Sequence, residues 1–265
     1  MTETAAEQTE GQPRRRAGRG LVMRTLLAHY PEPRYLEVGV SGAKTFDKLE
    51  APVKVAVDPA FRFDHTDPAR AVRGTEYHQV TSDEYFGSVV DPAARFDVIF
   101  LDGLHTVEQT LRDLLNALEH LAPNGVIVID DVRPPSALAA IPDEQEFLAQ
   151  RKAEDREDES AWMGDVFRLV YFIDTFCQQL SFRVIRNNHG QAVVWRHRRP
   201  QVTDRGLAGV GAMDFDEMVR TEDTLRLATF ADIVSELRRD LGLSAPEGTE
   251  GGSSRTKTTR WGRRG

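Results

Sequence analysis

The residues best placed to do chemistry are acids at two strand ends and a histidine beside them. "LDGLH" (101–105) closes one apolar run and "IDDV" (129–132) closes another. If the two runs are neighbouring strands, Asp102, Asp130 and Asp131 converge on one end of a sheet. Three carboxylates together repel and require a cation or protons. Oxygen-only ligands suit a hard metal such as Mg²⁺. His105 stands close enough in sequence to serve as a general base or to bind a substrate. The competing reading makes Asp102 a cap for the helix starting near Thr106 and Asp130–Asp131 a plain strand end.

A second set of residues lies earlier. "YLEVGVSGAKTF" (35–46) reads as a strand that breaks into small residues and then turns. Gly39 can adopt backbone angles closed to other residues, Gly42 admits a ligand near the backbone, and Ser41 offers a hydroxyl. The spacing is not G-x-G-x-x-G, because Ser41 stands at the second glycine and Gly42 comes early. Asp58 ends the next strand, about 20 residues on, where an acid accepts hydrogen bonds from ribose hydroxyls. Its alternative is a strand-end cap before Pro59. Glu37 is a carboxylate inside an apolar strand and needs a partner. S-adenosylmethionine (SAM) carries an ammonium and a sulfonium that would supply one; NAD has no need of such an acid.

The elements that must position these residues follow from periodicity. "LVMRTLLAHY" (21–30) has helical spacing, and 35–40, 53–58, 76–80, 96–102 and 126–130 are short apolar strands. "VEQTLRDLLNALEHL" (107–121) is an amphipathic helix with Leu111, Leu114, Leu115 and Leu118 on one face. Apolar runs alternating with helices predict a parallel sheet covered on both faces, hence a doubly wound α/β fold. Beyond Asp131 the spacing predicts a loop, a charged and partly helical insertion over 143–159, a helix over 162–180, a hairpin of strands 181–186 and 191–197, and helix over 213–241. Trp162 and Asp165 follow the insertion and suggest a lid on the acceptor side, or else a core residue and a helix cap.

The net charge of −8 excludes a whole-protein basic field for nucleic acid. One cysteine, Cys177, excludes a disulfide framework and a cysteine metal cluster. With no apolar signal segment and no apolar run approaching about 20 residues, the expectation is a cytoplasmic chain without a membrane span. Residues 1–19 and the basic stretch 244–265 read as disordered tails. Between them, 20–200 reads as the catalytic domain and 201–243 as a helical extension.

From "YLEVGVSGAKTF", "VAVDPAF", "YHQVTSDEYF", "FDVIFLDGLHTVEQTLRDLLNALEHLAPNGVIVIDD" and "WMGDVFRLV", in that order, the chain resembles class I SAM-dependent methyltransferases. More narrowly it is similar to the group found in bacterial natural-product and sugar-modifying pathways. The resemblance spans roughly 20–197 and implies a Rossmann-like sheet, mostly parallel, ending in an antiparallel hairpin. It implies that Glu37, Gly39 and Ser41 hold the methionine part of SAM, Asp58 the ribose, and that Ser82 and Asp83 lie near the adenine. It sets Asp102 beside the methyl donor and makes Asp102, Asp130 and Asp131 the Mg²⁺ ligands of metal-dependent relatives. Ala43 departs from the family's glycine-rich turn. The expected activity is O-methylation of a hydroxylated small molecule or glycosylated metabolite, with His105 or Asp102 catalytic. Its rivals are a metal-independent N-methyltransferase, an NAD-type oxidoreductase, and a non-catalytic SAM-binding protein. A homo-oligomer is left open.

Overall fold

Strand "FDVIFL" sends Val98 and Phe100 to one side and Ile99 and Leu101 to the other, and all four are buried. A strand apolar on both faces must be covered on both, and that requirement organises the whole molecule. This computed structural model describes residues 17–246. Seven strands, β1 (Arg34–Val38), β2 (Val53–Val57), β3 (Thr75–His78), β4 (Phe96–Leu101), β5 (Leu121–Ile129), β6 (Leu180–Val184) and β7 (Ala192–Arg196), form one sheet in the order β3-β2-β1-β4-β5-β7-β6. The first five are parallel; β7 runs antiparallel to β5, and β6 antiparallel to β7. The doubly wound sheet with a C-terminal hairpin is therefore as expected.

The helices are α1 (Arg19–Leu27), the single turn α2 (Ser82–Glu84), α3 (Val107–His120), α4 (Glu144–Ala153), α5 (Phe167–Phe176), α6 (Gly206–Gly211), α7 (Phe215–Arg220) and α8 (Phe230–Leu241). Leu114 and Ala117 of α3 and Leu169, Val170 and Ile173 of α5 cover the face of Leu36, Ile99 and Ile127. Val22, Met23 and Leu26 of α1 and Ile233, Leu237 and Leu241 of α8 cover the face of Tyr35, Phe100 and Trp195. Each such side chain contributes about 1.5–3 kcal/mol when fully buried. Trp195 also donates its indole N–H to Asp240 at 3.1 Å, fastening α8 to β7.

Several boundaries differ from the sequence reading. The helix expected over 162–180 begins only at Phe167. Gly164 has φ +61°, and a Cβ there would lie 1.7 Å from the His105 carbonyl oxygen, so this backbone is packed onto the loop after β4 before any helix can start. The helix expected over 213–241 is two α-helices, α7 and α8, with a 3-10 turn at Glu222–Leu225 between them. Arg226 turns left-handed (φ +52°), Ala228 bridges Ile185, and Thr229 then caps α8. In α3, Leu115 is 50% exposed, while the buried stripe runs through Thr110, Asp113, Leu114 and Ala117. The insertion does form a helix, α4, capped by Asp143, with Phe147 its buried residue. No helix among the described residues is long and apolar enough to cross a membrane. Of the two segments read as tails, 1–16 and 247–265 lie outside the described residues.

Candidate active site

The sheet order reverses between β1 and β4, which places a crevice beyond the carboxyl ends of those strands, where open α/β sheets bind ligands. The glycine turn lies there. Gly39 has φ +84°, and a Cβ on it would strike the Asp102 carbonyl oxygen at 1.8 Å, so glycine lets the loops after β1 and β4 touch. Ser41 (φ +49°) and Ala43 (φ +56°) hold left-handed angles without being glycine, whereas Gly42 borders open space. Left-handed non-glycine residues concentrate at ligand-binding turns.

Asp58 accepts the backbone N–H of Ser41 at 2.7 Å and of Ala60 at 2.8 Å. It ties the end of β2 to the glycine turn as well as turning the chain at Pro59. Glu37 is fully buried beneath α1 and accepts the Tyr35 hydroxyl at 2.7 Å. Burial pushes its carboxyl up to about 8, against the Tyr35 hydrogen bond and the nearby Arg19 and Lys54 charges. Ser82 and Asp83 stand at the start of α2, and Gln109 of α3 donates to both, at 3.2 and 3.1 Å, and to Asp113 at 3.1 Å.

Asp102, Asp130 and Asp131 do converge, because β4 and β5 are hydrogen-bonded neighbours. The sequence reading missed what they converge on. Arg19, the first residue of α1, contacts the Asp130 carboxylate through Nε, with Nη1 3.7 Å from Asp102 and Nη2 3.8 Å from Asp131. No signal in the sequence singles out Arg19, which stands among Arg14, Arg15, Arg16 and Arg24. Burial first, and the neighbouring aspartates second, raise the carboxyls of Asp102 and Asp130, the latter to about 7. Asp131 is held at φ +61°, which aims its carboxylate at His105.

His105 Nδ1 lies 3.0 Å from Asp131 Oδ2 and 3.0 Å from the Trp162 carbonyl oxygen. Both partners are acceptors, so the proton belongs on Nδ1 and the lone pair of neutral His105 on Nε2. Burial lowers the pKa of His105, but the Asp131 hydrogen bond and charge, the Trp162 carbonyl and Asp130 outweigh it and leave the pKa raised. Trp162 stacks on the imidazole at 5.0 Å and 8° and donates its indole N–H to Ile141. Asp165 caps α3 rather than its own helix, accepting the Val107 N–H at 2.8 Å.

A compact ligand set is formed by Asp102, His105 and Asp131, whose ligating atoms lie within 4.8 Å of one another. Asp130, expected among the ligands, is turned to Arg19. Oxygen donors with a buried Asp131 Oδ1 that has no hydrogen-bond partner among the described residues fit a hard cation. Beside Asp131 opens a cleft of about 520 Å³, lined by Arg133, His189, Met163, Phe215, Met218 and Val219 among others. His189 Nε2 lies 3.7 Å from Asp131, and Arg133 pairs with Glu222 of the segment after α7 at 2.6 Å. The sequence reading did not foresee this wall, since α7 reaches the site from the extension.

Residues 36–132 match the family model of a methyltransferase domain. The matched segment runs from β1 to just past β5 and carries the glycine turn and the three aspartates described above. No curated protein matches it in sequence. Among solved structures it is similar to the N-methyltransferase NodS from Bradyrhizobium japonicum, at 16% identity over 69% of this chain and 94% of that one, TM-score 0.43. It is similar to an O-methyltransferase from Bacillus cereus in complex with S-adenosylhomocysteine, at 14% identity over 68% and 80%, TM-score 0.46. It is also similar to MycE, a methyltransferase of the mycinamycin pathway in complex with Mg, S-adenosylhomocysteine and mycinamycin VI, at 17% identity over 65% of this chain and 48% of that one, TM-score 0.41. The chain thus spans about half of MycE. These are likenesses of architecture; the acceptors belong to those proteins.

Proposed function

We propose that this chain methylates a hydroxyl oxygen of a small molecule held in the cleft beside Asp131, with His105 as general base. The observation that carries the reading is the His105–Asp131 pair. Asp131 holds the Nδ1 proton, Trp162 fixes the ring plane, and Nε2 is left as the proton acceptor. A hydroxyl is a poor nucleophile at neutral pH, so a base with a raised pKa is what O-methylation needs and an amine acceptor needs less. SAM supplies, when bound, a methyl group already activated by its sulfonium, so the protein mainly aligns the acceptor. Glu37 and Asp58 with the Gly39–Ser41 turn would hold it. Asp102 and Asp131 would hold Mg²⁺, which would supply Lewis-acid activation of the acceptor oxygen.

Apolar Met163, Phe215, Met218 and Val219, with Arg133, Glu222 and His189 among them, suit an uncharged hydroxylated acceptor with an apolar face. The test is methyl transfer from radiolabelled SAM to matched hydroxyl and amine acceptors. His105→Ala should lower transfer to hydroxyls by about 10²-fold or more while S-adenosylhomocysteine still binds. Undiminished transfer to hydroxyls would remove His105 as the base. Transfer to amines alone would replace the reading by N-methylation.

A further inference from the structure

Arg19 does more in this site than neutralise one acid. A single guanidinium reaches Asp130, Asp102 and Asp131, which lie at the ends of two strands. It does not complete the cluster. Arg19 is the one arginine against the three acids, with His105 on Asp131 Oδ2, and Asp131 Oδ1, on a side chain 3% exposed and 3.7 Å from His189 Nε2, has no hydrogen-bond partner among the described residues. The unmet oxygen points to a further positive charge. A divalent cation bonded to Asp102 and Asp131 would need oxygens at about 2.1 Å for Mg²⁺. It would then share the space between the carboxylates with the guanidinium, and two like charges that close repel strongly.

We infer that Arg19 and a divalent cation are mutually exclusive occupants of the aspartate cluster, so that Arg19 sets how readily this chain takes up a metal. The inference rests on the reading of these acids as a cation site. Arg19 is built to leave. Its side chain is 34% exposed, and it is the terminal residue of α1. The helix itself is anchored by Val22, Met23, Leu26 and Leu27, none of which needs the ion pair. Gly18 before it and Gly20 after it carry no side chain that would trap the arginine in place. Withdrawal of the guanidinium opens the cluster, and the helix stays seated. A purely structural ion pair makes the opposite prediction: its loss lowers stability and leaves metal affinity where it was.

The experiment uses the full chain and Mn²⁺ alone as the probe, with free Mn²⁺ read by electron paramagnetic resonance. Arg19→Met keeps most of the apolar stem and removes the charge. It should bind one Mn²⁺ at least about tenfold tighter than wild type, since a like charge has been removed from the site. Adding Asp131→Asn to Arg19→Met should abolish that gain. Arg19→Gln, which leaves a neutral donor for Asp130, carries the same expectation should the methionine variant not fold. Equal Mn²⁺ affinity in wild type and variants would overturn the inference, as would the absence of Mn²⁺ binding in all of them. Methyl transfer is not read in this experiment, so its failure is distinguishable from failure of the O-methylation reading.

Discussion

Glu37 shows how much a single side chain can reveal in a strand. An acid between Leu36 and Val38 was marked by its type alone, and it is buried with the Tyr35 hydroxyl as its hydrogen-bond donor. Its pKa rises from an ordinary 4.5 to about 8. The sign follows from linkage. The folded chain holds the proton more tightly than the unfolded chain, so the contribution is fully present below about 4.5 and is lost as pH rises through about 8. At roughly 1.4 kcal/mol per unit, the loss is of the order of a few kcal/mol. Thermal melts of the ligand-free chain at pH 5 and pH 8 should therefore show a fall that Glu37→Gln lacks; parallel melts of the two proteins would refute this. Asp102, Asp130 and Asp131 were equally legible, since acids ending two apolar runs must meet once the strands pair. Arg19 was not legible. Nothing in its neighbourhood marks it, and only the placement of α1 over the strand ends brings it to them.

At the next level up, the glycines at 39 and 164 decide how the loops meet. Gly39 was read for its backbone freedom, and its φ of +84° bears this out. That the same glycine also admits the Asp102 carbonyl could not be read, because the contact joins loops more than sixty residues apart. Gly164 was absorbed into an expected helix, since helical spacing in "WMGDVFRLV" says nothing about a contact with His105. An added Cβ at 1.7 Å from the His105 carbonyl must move that loop. Gly164→Ala should thus cost about 1–3 kcal/mol of stability, from the left-handed angle and the clash, and should lower turnover by displacing His105. Denaturant melts and kcat measure the two effects; wild-type values for both would show that the contact is unimportant. Arg199 is a further element-level surprise. Its buried guanidinium pairs with Asp174 at 2.6 Å and donates to the carbonyls of Ile173 and Cys177, which closes the end of α5. A sequence offers no sign that a surface-type residue will do this.

Taken as a whole, the chain sets its seven-stranded sheet beside a cleft whose wall includes residues that follow β7. The sheet was legible because alternation of apolar strands and helices leaves few topologies. The wall was not, because the short helix α7 and Glu222 after it line the cleft together with Arg133 and the loop at His189, which come from distant parts of the chain. Val219, 56% exposed, lines the cleft. Val219→Trp should fill the cleft, raising the acceptor KM by about tenfold or more through the lost contact volume, with binding of S-adenosylhomocysteine unchanged. An unaltered KM would move the acceptor elsewhere. The account as a whole depends on SAM binding at the ends of β1, β2 and β4, and isothermal titration with S-adenosylhomocysteine tests that directly. The expected result is one site on wild type, no binding of NAD, and an affinity about 1–3 kcal/mol weaker in folded Asp58→Ala, as the hydrogen bonds that set the turn are lost. Titration of wild type with no heat from S-adenosylhomocysteine and a saturable response to NAD would contradict it.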